Sequence, residues 1–325
     1  MTAAEAPELS IVIPCYNEEA NVRAICAAVT EAAEREVRSH EIVLIDNRST
    51  DRTRAIIREL CAGDLRIRAI FNTRNFGQMR SPTHGIYQAR GRAVIGMCAD
   101  FQDPPAMIGE FVRAWRTGGR IVLAQRRSER AGPVLRFVRW AGYGILARYG
   151  DYPVIPGVTG FGLYDREVVD TLRKWNEPEP FFRGMLVESG FPVTLVPFDR
   201  PPRAAGESKN NVAALYSFAI SSIAGSARKL LRLPILLSLG TGTIAALLLL
   251  GAVAALFLGG PALALFAFGT GAGIFATILL FLGLIGEQVR IVSERSRNAP
   301  LVIEEERINF PSDAPETPSN RLRSA

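Results

Sequence analysis

From Leu233 to Gly286 the chain runs for about 54 residues without one Asp, Glu, Lys, Arg or His. A bilayer is crossed by about 20 apolar residues, and a buried soluble hairpin rarely holds so long an uncharged run. Gly259-Gly260-Pro261 interrupts it where a tight turn would join two helices. The run is therefore expected to be a two-span transmembrane hairpin over 233–286. Arg228, Lys229 and Arg232 precede it and Arg290, Arg295 and Arg297 follow it, while the link between the spans is uncharged. The positive-inside rule then places both termini in the cytoplasm, on the inner face of a cytoplasmic membrane. The N-terminus is polar and offers no signal-peptide pattern.

The segment just before the hairpin, 211–232, is amphipathic, with Leu215, Phe218, Ile223 and Leu230 among its apolar positions and a basic end against the first span. It reads as a helix lying in the membrane interface, with an ordinary packing helix as the other reading. The net charge of +6 suits a protein held against anionic lipid. No basic helix or aromatic-basic interleaving points to nucleic acid. Cys15, Cys26, Cys61 and Cys98 show no CxxC pairing and read as free thiols. The remainder, 287–325, reads as a cytoplasmic tail, disordered after about residue 310.

The first 210 residues read as one soluble domain in which strand and helix signals alternate. Leu9–Pro14, Glu41–Asp46, Arg66–Phe71 and Ala93–Met97 are short β-rich runs; a fifth strand-like run is Ile121–Gln125. A helical pattern covers Glu18 to about Val37, and Ser49 or Thr50 is expected to cap the next helix, with Asp51 in its first turn. This order predicts an α/β domain, Rossmann-like, with a mainly parallel sheet and helices on both faces. Ligands of such sheets bind outside the carboxyl ends of the strands. That rule gathers Cys15-Tyr16-Asn17, Asp46-Asn47, Asn72 to Gly77 and Cys98 to Asp103 along one edge.

Five motifs occur in a fixed order: Ile13-Pro14-Cys15-Tyr16-Asn17-Glu18, Asp46-Asn47-Arg48-Ser49-Thr50-Asp51, Arg74-Asn75-Phe76-Gly77, Ala99-Asp100-Phe101-Gln102-Asp103-Pro104-Pro105, and Arg203-Ala204-Ala205-Gly206-Glu207-Ser208-Lys209. In this order, and followed by a two-span hairpin, they resemble family-2 glycosyltransferases of the GT-A fold. Within these the chain is similar to the membrane-anchored polyisoprenyl-phosphate glycosyltransferases such as dolichol-phosphate mannose synthase.

The resemblance implies an inverting enzyme that moves a sugar from a nucleotide-sugar donor, UDP favoured over GDP, to a polyprenyl phosphate of undecaprenyl type. Pro14, Tyr16, Glu18, Asp46, Asn47, Cys98 and Asp100 would form the nucleotide site, and Asp100 with Gln102 would hold Mg²⁺ or Mn²⁺. Such a hard cation takes one or two carboxylates plus substrate phosphates. Arg203, Ser208 and Lys209 would clamp the acceptor phosphate, so Asp100, Arg203 and Lys209 carry the catalysis. A homo-oligomer is implied by the same analogy.

Two departures from the family pattern bear on the chemistry. Cys98 stands where relatives have an acid, and is expected to be a small buried thiol at a strand end. Gly160 and Gly162 stand where relatives have the Asp and Arg of a Gly-Asp-Phe-Arg-Leu segment, whose Asp is often assigned to catalysis. A phosphate monoester, with a second pKa of about 6, is already ionised at neutral pH. It needs little of the roughly 10²–10⁴-fold help that a general base supplies. The departures therefore fit a phosphate acceptor. A hydroxyl acceptor would need another base, Asp103 or Asp165, and a silent nucleotide- or lipid-binding relative is the remaining reading. Arg126 and Arg127 would face either the donor pyrophosphate or solvent.

Overall fold

The computed structural model describes residues 6–127, 155–201 and 299–310, with scattered helical positions between 271 and 296. The chain divides into two compact units, one of residues 1–137, 154–211 and 298–325, the other of residues 138–153 and 212–297. In the first unit, β1 (Leu9–Cys15), β2 (His40–Asp46), β3 (Ile67–Asn72), β4 (Ala93–Gly96), β5 (Ile121–Arg126), β6 (Val158–Asp165), β7 (Val193–Phe198) and β8 (Glu304–Ile308) form one sheet in the order β7-β5-β6-β4-β1-β2-β3-β8. β1 pairs in parallel with β2 and β4, β2 with β3, and β5 with β7. β6 runs antiparallel between β4 and β5, and β8 antiparallel to β3. The expected α/β domain with a mainly parallel sheet is thus present, with two reversed strands that local patterning does not announce.

β2 is buried at every position and β1 at all but Pro14, which is why both are unbroken Ile, Val and Leu runs rather than alternating ones. Helices cover both faces. On one lie α1 (Val22–Glu36), α2 (Thr53–Gly63) and α4 (Met107–Arg116), whose Ile25, Val29, Ile57, Ile108 and Phe111 pack with Ile11, Leu44 and Phe71. On the other lie α3 (Gly77–Gln88), α5 (Arg166–Lys174) and α6 (Phe182–Glu188), with Ile86, Leu172 and Leu186 against Val12, Ile45 and Ile70. The spacing of Val22, Ile25, Cys26, Val29 and Ala33 on α1 is the three-and-four repeat that turns one helical stripe to the sheet. Cys15, Cys26 and Cys61 belong to this core, and all four cysteines are free.

The second unit has helical residues between 271 and 296, with Ile278, Leu282, Ile285, Val289 and Val292 exposed. The expected interfacial helix at 211–232, the first span and much of the second lie outside the described residues. Among the described residues no helix is long and apolar enough to cross a membrane.

The stretch after the hydrophobic segment was expected to be only a tail. Instead, Glu304–Ile308 returns as β8 and closes the free edge of β3. Beyond 310 the chain lies outside the described residues. Three consecutive glutamates dock β8. His84 Nε2 lies 2.5 Å from Glu304 Oε1, and Arg307 Nη2 donates to the same oxygen at 2.6 Å. Burial alone would raise the Glu304 carboxyl, but hydrogen bonds from His84 and Arg307 outweigh it and hold its pKa at about 2. A carboxylate whose folded pKa lies below its ordinary 4.5 stabilises the fold above that value and stops doing so as pH falls towards 2. The contribution is on the order of 3 kcal/mol at neutral pH. Acid titration followed by unfolding should therefore show β8 loosening between about pH 4.5 and 2, and Glu304→Gln should flatten that part of the profile.

Candidate active site

The carboxyl ends of β4, β1, β2 and β3 lie side by side, so the loops that leave them form one edge. Because β6 is reversed, its first residues, Val158 to Gly160, reach the same edge as the last residues of β5 and β7. Three residues other than glycine adopt left-handed backbone in these loops: Asn17 after β1, Arg48 after β2 and Phe101 after β4. Each such residue costs about 1–3 kcal/mol, and conformations of that kind concentrate at functional sites.

Asp46 and Asn47, at the end of β2, organise the edge. Asp46 is wholly buried and accepts the Ser49 backbone N–H at both oxygens, 3.2 and 3.3 Å. Burial raises its pKa, while Ser49 and Arg54, whose Nε lies 3.5 Å away, oppose that rise. Asn47 donates to Asn75 Oδ1 at 2.8 Å and to the Gly77 carbonyl at 3.2 Å; its own oxygen accepts from Phe76 N–H and Asn72 Nδ2. One residue thus pins the whole β3–α3 turn.

The β1–α1 and β2–α2 loops are laced together. Asn17 N–H donates to Ser49 Oγ at 2.9 Å, Thr50 N–H to Asn17 Oδ1 at 2.8 Å, and Glu18 N–H to Thr53 Oγ1 at 2.8 Å. The expected capping by Ser49 or Thr50 does not occur. Helix α2 starts later, at Thr53, and Asp51 accepts the Thr53 N–H, because the two hydroxyl residues are committed to the neighbouring loop.

Of the expected nucleotide residues, Tyr16 presents an exposed ring, Pro14 and Glu18 are half-buried, and Asp46 and Asn47 are buried supports. The loop after β4 carries Cys98, Asp100, Gln102 and Asp103. Asp100 is buried and its Oδ1 accepts the Gln102 N–H at 3.1 Å; Asp103 is buried and accepts the Cys98 N–H at 2.9 Å. Cys98 is exposed, contrary to the expected buried thiol. Its thiol interacts with the buried Asp103 carboxyl. The negative charge of Asp103 pushes the Cys98 thiol well above its usual range; desolvation and Asp100 add to this. Burial likewise raises Asp103, with Cys98 and Arg200 opposing.

Asp165 cannot serve this edge as a base. It pairs with Ala93 at the start of β4, the opposite end of the sheet, where it caps α5 and accepts from Trp115 Nε1 at 2.8 Å. Gly160 and Gly162 have structural causes. Gly160 has φ of +97°, and a β-carbon at Gly162 would fall 2.2 Å from the Val122 carbonyl oxygen, next to the irregular register of β5 and β6. A charged side chain at either position would need a different backbone. Arg126 ends β5 at the site edge, and Arg127 pairs with Asp199 at 3.5 Å. Arg203, Ser208 and Lys209 lie outside the described residues. Sequence reasoning missed Arg200, at the end of β7 and close enough to oppose the charge of Asp103, and Arg54, one turn beyond a recognised motif.

Residues 10–173 match glycosyl transferase family 2, about half of the chain. The chain belongs to that family. This glycosyltransferase is 36% identical over 66% of its length to an uncharacterized glycosyltransferase of Synechocystis sp., 68% of which is covered. It is 30% identical to an uncharacterized glycosyltransferase, YkcC, of Bacillus subtilis, over 91% of this chain and 93% of that one. The bactoprenol glucosyl transferase of Shigella phage SfV is 32% identical over 66% of this chain and 71% of its own length. Among solved structures, glucosyl-3-phosphoglycerate synthase from Mycobacterium tuberculosis, in complex with Mn²⁺, UDP and phosphoglyceric acid, superposes with a TM-score of 0.50 at 17% identity, covering 67% of this chain and 76% of that one. The glycosyltransferase has a GT-A-like mixed α/β fold.

Among the described residues no group of three or more His, Cys, Asp or Glu could hold a metal by itself. The donor set fits a cation that arrives with phosphate oxygens. Asp100 offers a carboxylate and Gln102 a carbonyl on the same turn, and a hard ion completes its shell from the substrate.

The pairing around Asn47 explains why an amide stands there. An aspartate has no N–H for Asn75 Oδ1 or the Gly77 carbonyl and would bury a charge. Asn47→Asp should destabilise the domain by about 1–3 kcal/mol in denaturant unfolding and weaken nucleotide binding in calorimetry.

Proposed function

We propose that this glycosyltransferase moves a sugar, with inversion, from a nucleotide-sugar donor to a polyprenyl phosphate at the cytoplasmic membrane face. UDP donors are favoured over GDP donors. The observation that carries the reading is the site edge itself: a row of loops at the carboxyl ends of adjacent strands, Asp100 among them, with no acid at Gly160 and Asp165 at the far end of the sheet. Of the two acids that could replace the missing base for a hydroxyl acceptor, Asp165 lies at the far end of the sheet and Asp103 is buried and already bonded to the Cys98 N–H. An ionised phosphate needs no such group. The bactoprenol glucosyl transferase relatives support a polyprenyl acceptor, and the Mn²⁺ and UDP of the structural neighbour support a divalent cation and a uridine donor.

In this reading Tyr16 and Glu18 face the nucleoside, and the buried pair Asp46 and Asn47 holds their loops in place. Asp100 and Gln102 hold the cation, which supplies Lewis-acid stabilisation of the departing diphosphate. Arg203, Lys209 and Ser208 bind the acceptor phosphate; an arginine fork suits such an oxyanion. Membrane attachment rests on the uncharged run at 233–286 and the exposed apolar positions Ile278 to Val292. β8 adds a topological argument. The chain returns to the first unit after residues 212–297, which supports the reading of an even number of crossings in that segment.

The test is transfer by the purified full chain, in detergent with Mn²⁺ and polyprenyl phosphate, from a panel of radiolabelled nucleotide sugars. Label should appear in an acid-labile lipid fraction. Asp100→Ala should lower it at least about a hundredfold, since metal assistance is worth several kcal/mol. Arg203→Ala should raise KM for the lipid phosphate more than KM for the donor. Transfer to an uncharged alcohol but not to lipid phosphate would overturn the reading.

A further inference from the structure

Strand β8 contains an irregularity with a direction. Asn72 pairs with Glu304 and Phe71 with Glu306, so Glu305 is an extra residue without a partner across the ladder. In a regular strand Glu304 and Glu306 would share a face. Here Glu304 meets His84 on α3 and Glu306 meets Arg58 on α2, at 2.7 Å, on opposite faces of the sheet. Bulges of this kind re-aim side chains, and they recur beside active sites.

The side chain aimed by this bulge reaches the site edge. Glu305 Oε2 lies 2.5 Å from Arg48 Nη1 and 3.0 Å from Arg54 Nη2. Arg54, only 16% exposed, lies against the Phe71 ring and places its Nε 3.5 Å from Asp46 Oδ2. From Asp46 the contacts continue through Ser49 to Asn17, between Tyr16 and Glu18. Arg48, in left-handed backbone, follows Asn47 directly. A strand that begins after the hydrophobic segment thus ends a continuous run of contacts to the loop that faces the nucleotide.

We infer that Glu305 is a positioning residue for the donor site: it holds Arg48 and Arg54 so that Arg54 supports the Asp46 carboxylate and, through Ser49, the loop bearing Tyr16 and Glu18. The inference rests on the proposed nucleotide site. Its physical basis is charge balance around one guanidinium. Arg54 lies between two carboxylates, Asp46 and Glu305, and loss of the outer one frees it to move away from the inner one. The strand itself stays docked through Glu304 and Glu306.

The test uses the full chain in detergent with Mn²⁺, reading UDP and GDP binding by calorimetry, donor KM and kcat by lipid transfer, and Tm. Glu305→Gln should raise the Kd for the bound nucleotide and the donor KM roughly three- to thirtyfold, the range of coupling carried by connected networks, with kcat within about twofold. Arg54→Lys, which keeps a cation but loses the fork that reaches both carboxylates, should do the same. Glu306→Gln, which breaks a pair on the same strand without reaching Asp46, should leave Kd unchanged, and Glu305→Asp should recover part of the loss. Unaltered nucleotide binding in both Glu305→Gln and Arg54→Lys overturns the inference alone. So does an equal loss in Glu306→Gln, which would mark β8 as merely structural. A wild-type chain that binds neither diphosphate overturns the nucleotide reading and this inference with it.

Discussion

The arrangement depends on two adjacent side chains at the end of β2. Asp46, buried without solvent, can be tolerated only because backbone N–H groups and a guanidinium compensate it. Asn47 must spend both its donor and its acceptor capacity on the β3–α3 turn. Between them they fix three of the four loops at the carboxyl ends of β1 to β4. Were either left unsatisfied, the cost would fall on the buried end of a central strand, where nothing can move to relieve it. If these loops bind the proposed nucleotide-sugar donor, such rigidity favours it, because loops already ordered do not lose freedom on binding.

The fourth loop follows a different logic. Asp100 and Asp103 accept backbone N–H groups of their own turn, from Gln102 and Cys98, and the turn carries Phe101 in left-handed conformation. Cys98 is exposed there and Asp103 takes the buried position. In the proposed reading, a thiol in place of an acid leaves fewer negative charges next to the donor phosphates. The glycines of β6 fit the same economy. Their backbone serves the junction with β5, and no catalytic acid is accommodated there.

β8 changes how the two parts of the chain relate in sequence. The hydrophobic segment is an insertion between strands of one sheet, not an appendage at its end, and the first unit is complete only after the chain returns. The edge of β3 is thereby covered, and the sheet ends instead in a short strand rich in charge, the kind of edge that resists further pairing.

Much of this was legible in the residues. The buried strands announce themselves as apolar runs, the carboxyl-edge rule gathers their loops, and Tyr16, Asp46, Asn47 and Asp100 all fall where that rule puts them. What could not be read was pairing between distant segments. Nothing local says that the run at 158–165 turns against its neighbours, that Asp165 therefore sits at the wrong end of the sheet, or that Glu304–Ile308 is a strand rather than tail. Ser49 and Thr50 carry a good capping signature, yet the neighbouring loop claims them, since a hydrogen bond formed across a fold overrides a local propensity worth no more. The sequence alone determined the chemistry available, the alternating α/β order and the uncharged run, because composition and periodicity are local properties. Tertiary structure decided which charges meet, and so which carboxylates are supports or caps, because burial and partnership exist only once distant strands are side by side.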